Sequence, residues 1–153
     1  MDRYDRLILS ALIEDGRLSF AELARRVNLS PPAVAERVAK LESNGVIRGY
    51  QAQVDLAKVG LPIECLIELS IAEHKSQSAA LEALAAMPEL SRCHLVTGEA
   101  CLIVQAAVAS MPELQALINR ISVYGTSKTS LILSSPFNDR APANLRTPVN
   151  GQR

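Results

Sequence analysis

The first sixty residues alternate between apolar stretches with helical spacing and short polar breaks that carry helix start and stop signals. Asp2 can cap a helix whose apolar positions Leu7, Ile8, Ala11 and Leu12 share one face, and Asp15-Gly16 ends it. Ser19 stands three residues before Glu22, the capping-box arrangement, and opens a second helix with Phe20, Leu23, Ala24 and Val27 inward. Asn28-Leu29 forms a tight turn. Ser30 followed by Pro31 gives a capping hydroxyl and then a proline at the first helical position. This third helix turns Val34, Val38 and Leu41 inward and stops at Asn44-Gly45, where glycine suits a left-handed cap. Val46–Val54 then alternates as a strand would, one arm of a small wing, and Gly60 and Pro62 mark a boundary.

Beyond that boundary the rhythm changes. Ile63–Ile71 predicts a strand, with Ile63, Cys65, Ile67, Leu69 and Ile71 on one face. Ser76–Met87 predicts a helix stopped by Pro88, and Leu90–Val96 and Cys101–Val108 predict strands joined around Gly98. Ser110–Ile121 reads as a helix with Pro112 in its first turn, and Thr126–Leu133 as a last strand. The order β-α-β-β-α-β is the ferredoxin-like pattern, a four-stranded antiparallel sheet with both helices on one face. The expected fold class is therefore α+β, with a winged helix-turn-helix over 1–60 and a ferredoxin-like domain over 61–134. Residues 135–153, rich in Pro, Asn, Ser and Arg, lack periodicity and read as a flexible tail.

Composition narrows the functional classes. Hydrophobic residues make up 48% and aromatics only 3%, so both cores must be aliphatic. No apolar run reaches the roughly 18–20 residues of a membrane span, and the charged start lacks the apolar centre of a signal peptide. Three cysteines, Cys65, Cys93 and Cys101, show no paired spacing, which fits a reduced, cytoplasmic setting without structural disulfides. Net charge is zero, which by itself does not favour a nucleic-acid partner. Residues 1–60 hold nine Lys/Arg against eight Asp/Glu, a net of +1; residues 61–138 hold four against seven, a net of −3. A case for DNA must therefore rest on where the charges sit.

Three short helices with a serine-capped third form a helix-turn-helix, whose second motif helix enters the major groove of double-stranded DNA. Opposite the inward Val34, Val38 and Leu41, the face expected to meet DNA holds Pro32, Ala33, Glu36, Arg37 and Lys40. Arg37 can fork onto guanine, Lys40 can meet phosphate, and Pro32 and Ala33 can approach base edges. Ser30, with the exposed N–H groups of the helix start, is expected to hold a phosphate, and Pro31 at the first helical position lies on the same DNA-side end. Arg25, Arg26 and Arg48 are placed to touch the backbone.

These stretches resemble the Lrp/AsnC, or feast–famine, family. The matching segments are Asp5-Arg6-Leu7-Ile8-Leu9, Asp15-Gly16-Arg17, Ala21-Glu22-Leu23-Ala24, Leu29-Ser30-Pro31, Arg37-Val38, Leu41-Glu42 and Gly45-Val46-Ile47-Arg48-Gly49-Tyr50. Cys93-His94-Leu95-Val96-Thr97-Gly98 and the βαββαβ order resemble the family's C-terminal domain. The resemblance implies homodimers built on the C-terminal sheets, often assembled into octamers, with amino acids or related metabolites bound between subunits. It places effector contacts at Thr97, Gly98, Glu99, Ala100 and Cys101, and at Tyr124, Gly125, Thr126, Ser127 and Thr129. Here the chain departs from the common pattern, carrying Gly98-Glu99-Ala100-Cys101-Leu102 where many members carry glycine, an acid, then Tyr-Asp-Tyr.

No nucleophile–base–acid trio, phosphate loop or metal-ligand spacing is visible, so neither an enzyme, a cofactor nor a metal site is expected. Cys93 and His94, as strand neighbours, face opposite ways. An oligomeric small-molecule sensor without DNA binding is the alternative function that the neutral charge keeps open. Strands 63–71 and 101–108 look apolar on both faces, more than one helical layer can cover, which points to pairing with a second sheet.

Overall fold

Capping chemistry sets the limits of the first three helices. The computed structural model describes residues 1–137 and 140–146, and divides them into two compact units, Met1–Gln53 with the segment from Pro136, and Val54–Ser135. In the first unit α1 spans Arg3–Glu14, α2 Phe20–Val27 and α3 Pro31–Ser43. Asp2 and Asp5 form a reciprocal capping box on α1, and Ser19 and Glu22 form another on α2. Asn28 closes α2 in the left-handed conformation (φ 56°), and Leu29 N–H reaches back to the Ala24 carbonyl at 3.0 Å. Gly45 (φ 68°) closes α3, with Val46 N–H donating to the Leu41 carbonyl at 2.9 Å.

The core of this unit is aliphatic: Ile8, Leu9, Ala11, Leu23, Ala24, Val27, Val34, Val38 and Leu41 are buried together. Phe20, expected inward, is 47% exposed at the first position of α2.

Two further expectations for this unit need correction. Val46–Val54 forms no strand. A strand needs a ladder partner, and among the described residues this chain supplies none; Tyr50 instead folds back to donate to Glu42 Oε1 at 3.0 Å. The segment after Ser135, expected to be a flexible tail, carries a short helix in its described part, α6 at Ala143–Arg146, which packs on α1. Ala141 is 3% exposed, and Leu145 joins the helical core. The segment's few apolar residues hold it there without any periodic signal. Residues 138–139 and 147–153 of the expected tail lie outside the described residues.

The second unit is the expected βαββαβ arrangement: β1 (Ile63–Ile71), α4 (Gln77–Ala85), β2 (Leu90–Leu95), β3 (Leu102–Val108), α5 (Met111–Ser122) and β4 (Gly125–Leu131). Its four strands run antiparallel in the order β2-β3-β1-β4. Cys65, Ile67 and Leu69 of β1 and Leu102, Val104, Ala106 and Val108 of β3 are buried against Leu84 of α4 and Leu114, Leu117 and Ile121 of α5. The opposite face is mixed rather than wholly apolar. β1 turns Glu64, Leu66, Glu68 and Ser70 to it, opposite Ala107, Gln105 and Ile103 of β3.

Candidate nucleic-acid interface and effector site

On α3 the groups available to DNA are set by the helical period. Pro32, Glu36 and Lys40 are exposed and Ala33 is half-buried, all away from Val34, Val38 and Leu41, while Pro31 is exposed as the first residue of the helix. Arg37 does not share that face. Three residues after Val34, it lies about 60° round the helix from it, on the flank of the inward stripe. Its Nη1 donates to Asp2 Oδ2 at 2.6 Å and Asp5 Oδ1 at 2.7 Å, and its guanidinium lies 5.4 Å from the Tyr4 ring centroid. Arg37, expected to fork onto guanine, is thus tied within the protein through Nη1. The Asp2 hydrogen bond comes first among the effects that hold the Arg37 pKa above its ordinary value.

The phosphate cradle expected at the start of α3 also needs revision. Pro31 and Pro32 have no N–H. Ala33 N–H donates to Ser30 Oγ at 3.4 Å and Val34 N–H to the Ser30 carbonyl at 3.1 Å. What remains there for a phosphate is the exposed Ser30 hydroxyl.

Arg25 and Arg26 are exposed in the last turn of α2, where cations suit the helix dipole. With Glu22 they line an open depression. Glu22 is already engaged: the Ser19 hydroxyl, then the Ser19 N–H, hold its carboxyl below the usual range. Arg48 is exposed in the irregular segment after α3.

In the second unit, the turn between β2 and β3 and the start of β4 flank the end of β1. Ser70 Oγ donates to the Glu99 carbonyl at 2.9 Å, Cys101 N–H to the Leu69 carbonyl at 2.9 Å, and Ala72 N–H to the Tyr124 carbonyl at 3.1 Å. Gly98 takes φ 122°, which only glycine adopts readily. An open depression of about 740 Å³ on the helix-free face is lined by Thr97, Glu99 and Ala100 together with Glu68, Leu95, Val96 and Ile103.

The second candidate group does not line this depression. Gly125, Ser127 and Thr129 pair with Ile71, Leu69 and Ile67 and so share the helix-covered side, while Thr126 pairs with Ser70 and shares the free face. Tyr124 is packed against the sheet core. Cys101 is half-buried beside the turn, and burial pushes the Cys65 thiol up. Sequence reasoning missed Glu68 and Ile103, although the alternation of β1 and β3 already put them on the face of Ser70. Cys93 pairs with Val104 and His94 with Ile103, on opposite sides. Among the described residues no group of His, Cys, Asp or Glu could hold a metal ion, and no helix is long and apolar enough to cross a membrane.

A capped tri-helical unit with an exposed third-helix face, joined to a ferredoxin-like sheet with a hollow on its free side, defines a two-domain regulator. Residues 1–48 match the winged helix-turn-helix DNA-binding family, and residues 64–142 match the Lrp/AsnC ligand binding domain. The HTH-type transcriptional regulator LrpC of Bacillus subtilis is 35% identical over 136 residues, covering 88% of this chain and 92% of that protein. A feast or famine regulatory protein of Mycobacterium tuberculosis, solved with L-methionine, superposes with a TM-score of 0.85 at 31% identity, over 92% of this chain and 97% of that one. A transcriptional regulator of Neisseria meningitidis in complex with L-methionine gives 0.84 at 28% identity, over 96% and 99%. The chain belongs to the Lrp/AsnC family of transcription regulators.

Proposed function

We propose that this regulator binds double-stranded DNA as a homo-oligomer and that a free amino acid or a close relative of one tunes that binding. The exposed face of α3, with Pro32, Ala33, Glu36 and Lys40, meets base edges and the adjacent phosphates. Ser30, Arg25, Arg26 and Arg48 hold the backbone. The observation that carries this reading is the fully capped α3, whose buried stripe leaves a polar face open. The role is regulatory and non-catalytic, in the cytoplasm.

The effector occupies the hollow beside Thr97, Glu99 and Ala100. Backbone N–H groups of the turn suit a carboxylate, and Glu68 or Glu99 suits an ammonium. Of the second group, Thr126 on the free face contributes from a neighbouring subunit, since one chain does not bring it into the hollow. Leu66, Ile103 and Ala107 on the free sheet face give the apolar centre of a dimer contact, and dimers assemble further, up to octamers.

Selection of duplexes from a random library, with and without each amino acid, tests this. The expected result is one enriched motif with half-sites about one helical turn, or a multiple, apart, and an affinity that shifts with one group of amino acids. No enriched duplex would refute the DNA reading, and indifference to every amino acid would refute the effector reading.

A further inference from the structure

We propose that Arg37, with Asp2 and Asp5, is a positioning device that fixes the rotation of α3 and makes no contact with DNA. The inference rests on the reading that the exposed face of α3 meets the duplex. One nitrogen, Nη1, donates to both carboxylates, at 2.6 and 2.7 Å. Neither carboxylate has slack. Asp2 Oδ1 accepts from Asp5 N–H at 3.0 Å and Asp5 Oδ2 accepts from Asp2 N–H at 2.8 Å, so each spends one oxygen on the cap of α1 and the other on Arg37. The Tyr4 ring, 5.4 Å away, confines the guanidinium on another side.

The charge count argues against a DNA contact. One guanidinium is answered by two carboxylates, so the triad itself sums to 1 − 2 = −1 and leaves Arg37 no unmatched positive charge to offer a phosphate. A guanine taken by a fork that includes Nη1 would have to displace charge-assisted bonds already in place. The tie also spans 35 residues, from the cap of α1 to the middle of α3. Val34, Val38 and Leu41 hold α3 against the core, but a stripe of aliphatic side chains tolerates small rotations about the helix axis. A directional tie on one flank does not. Rotation is the variable that decides which base edges Pro32, Ala33 and Glu36 meet.

The test uses the full chain, a duplex selected by the unmodified protein, and a random-sequence duplex, at one salt concentration and below the melting temperature. The readout is the ratio of the two affinities. Charge changes act on both duplexes alike, so they largely cancel. In R37M and in the double variant D2N/D5N, where asparagine retains the cap, the ratio should fall about tenfold, the loss of roughly one mismatched base pair. R37M combined with D2N/D5N should fall no further, and the loss should be spread over the motif.

A base contact by Arg37 predicts otherwise. R37M would then relax preference at one base pair, and D2N/D5N, by freeing the guanidinium, would leave the ratio unchanged or raise it. Either result overturns the proposal. Should R37M fail to fold, R37K supplies the same readout: it keeps the charge but has no fork, and an intermediate fall is expected, with an unchanged ratio overturning the idea. No preference by the unmodified chain would overturn the DNA reading and this inference together, whereas a preference that D2N/D5N leaves intact overturns this inference alone.

Discussion

Gly125 lies against the backbone of Ser70 so closely that a Cβ at position 125 would sit 2.0 Å from the Ser70 carbonyl oxygen and 3.0 Å from Ala72 N. Gly125 pairs with Ile71 at the end of β1, where β4 begins. Its backbone is not left-handed, so the demand for glycine is one of space alone. Family resemblance makes Gly125 an effector residue, but packing already accounts for it. Gly125→Ala should destabilise the sheet unit by about 1–3 kcal/mol, the range for overfilled sites. Thermal denaturation of the full chain would measure this, and an unchanged melting curve would contradict the close approach.

Leu145 on α6 and the buried Ala141 make the C-terminal segment part of the DNA-binding unit. Removing residues 136–153 uncovers the side of α1 on which α6 packs. The truncated chain should lose roughly 1–3 kcal/mol in the transition of the helical unit, and Leu145→Ala a part of that. The sheet unit's transition should stay where it is. Denaturant titrations followed by helix content check this, and equal midpoints for full and truncated chains would show that the contact contributes nothing.

How much of this was legible depended on whether the signal was local. The caps at Asp2, Ser19 and Ser30 and the apolar periods of α1 to α5 could be read directly, because a helix start and its buried stripe are written within a few residues. Strand alternation gave β1 to its observed limits, Ile63–Ile71. Other features depend on partners far along the chain. A strand at Val46–Val54 needed a ladder partner that no pattern could supply. Leu145 joins a core more than a hundred residues before it, with no period to announce it. Arg37 was different, since the wheel alone puts it beside Val34 and Leu41, and its pairing with Asp2 and Asp5 follows from α1 lying across that flank. In the effector site the turn at Gly98 was readable, but the side taken by Ser127 and Thr129 follows from register with Leu69 and Ile67.

Acid should weaken the helical unit through its caps. The Asp2 carboxyl is held below the usual range, first by the Asp5 N–H and then by Arg37, with burial opposing both. Because the folded chain holds this proton less tightly than the unfolded one, the stabilisation is fully present above the ordinary aspartate value, near pH 4. It is lost as pH falls through the lower folded value. Melting temperatures of the unmodified chain and D2N between pH 2 and 7 should converge at the acid end and separate above it. Parallel curves across the whole range would mean that Asp2 contributes nothing that titrates.

Salt should distinguish the arginines. Each phosphate neutralised by a cation contributes about 0.9 to the slope of log affinity against log salt on duplex DNA. Arg25 and Arg26 are exposed cations in the last turn of α2, so Arg25→Ala with Arg26→Ala should lower the slope by roughly 2. Lys40→Ala, exposed on α3, should lower it by about 1. Arg37→Met should leave the slope nearly unchanged, because its charge is already spent on Asp2 and Asp5 within the protein. Binding isotherms between 50 and 200 mM salt, about the range over which such contacts register, give all three values. A slope that falls by about 1 on Arg37→Met would place that guanidinium on a phosphate, and one that ignores Arg25 and Arg26 would move the backbone contact to another part of the helical unit.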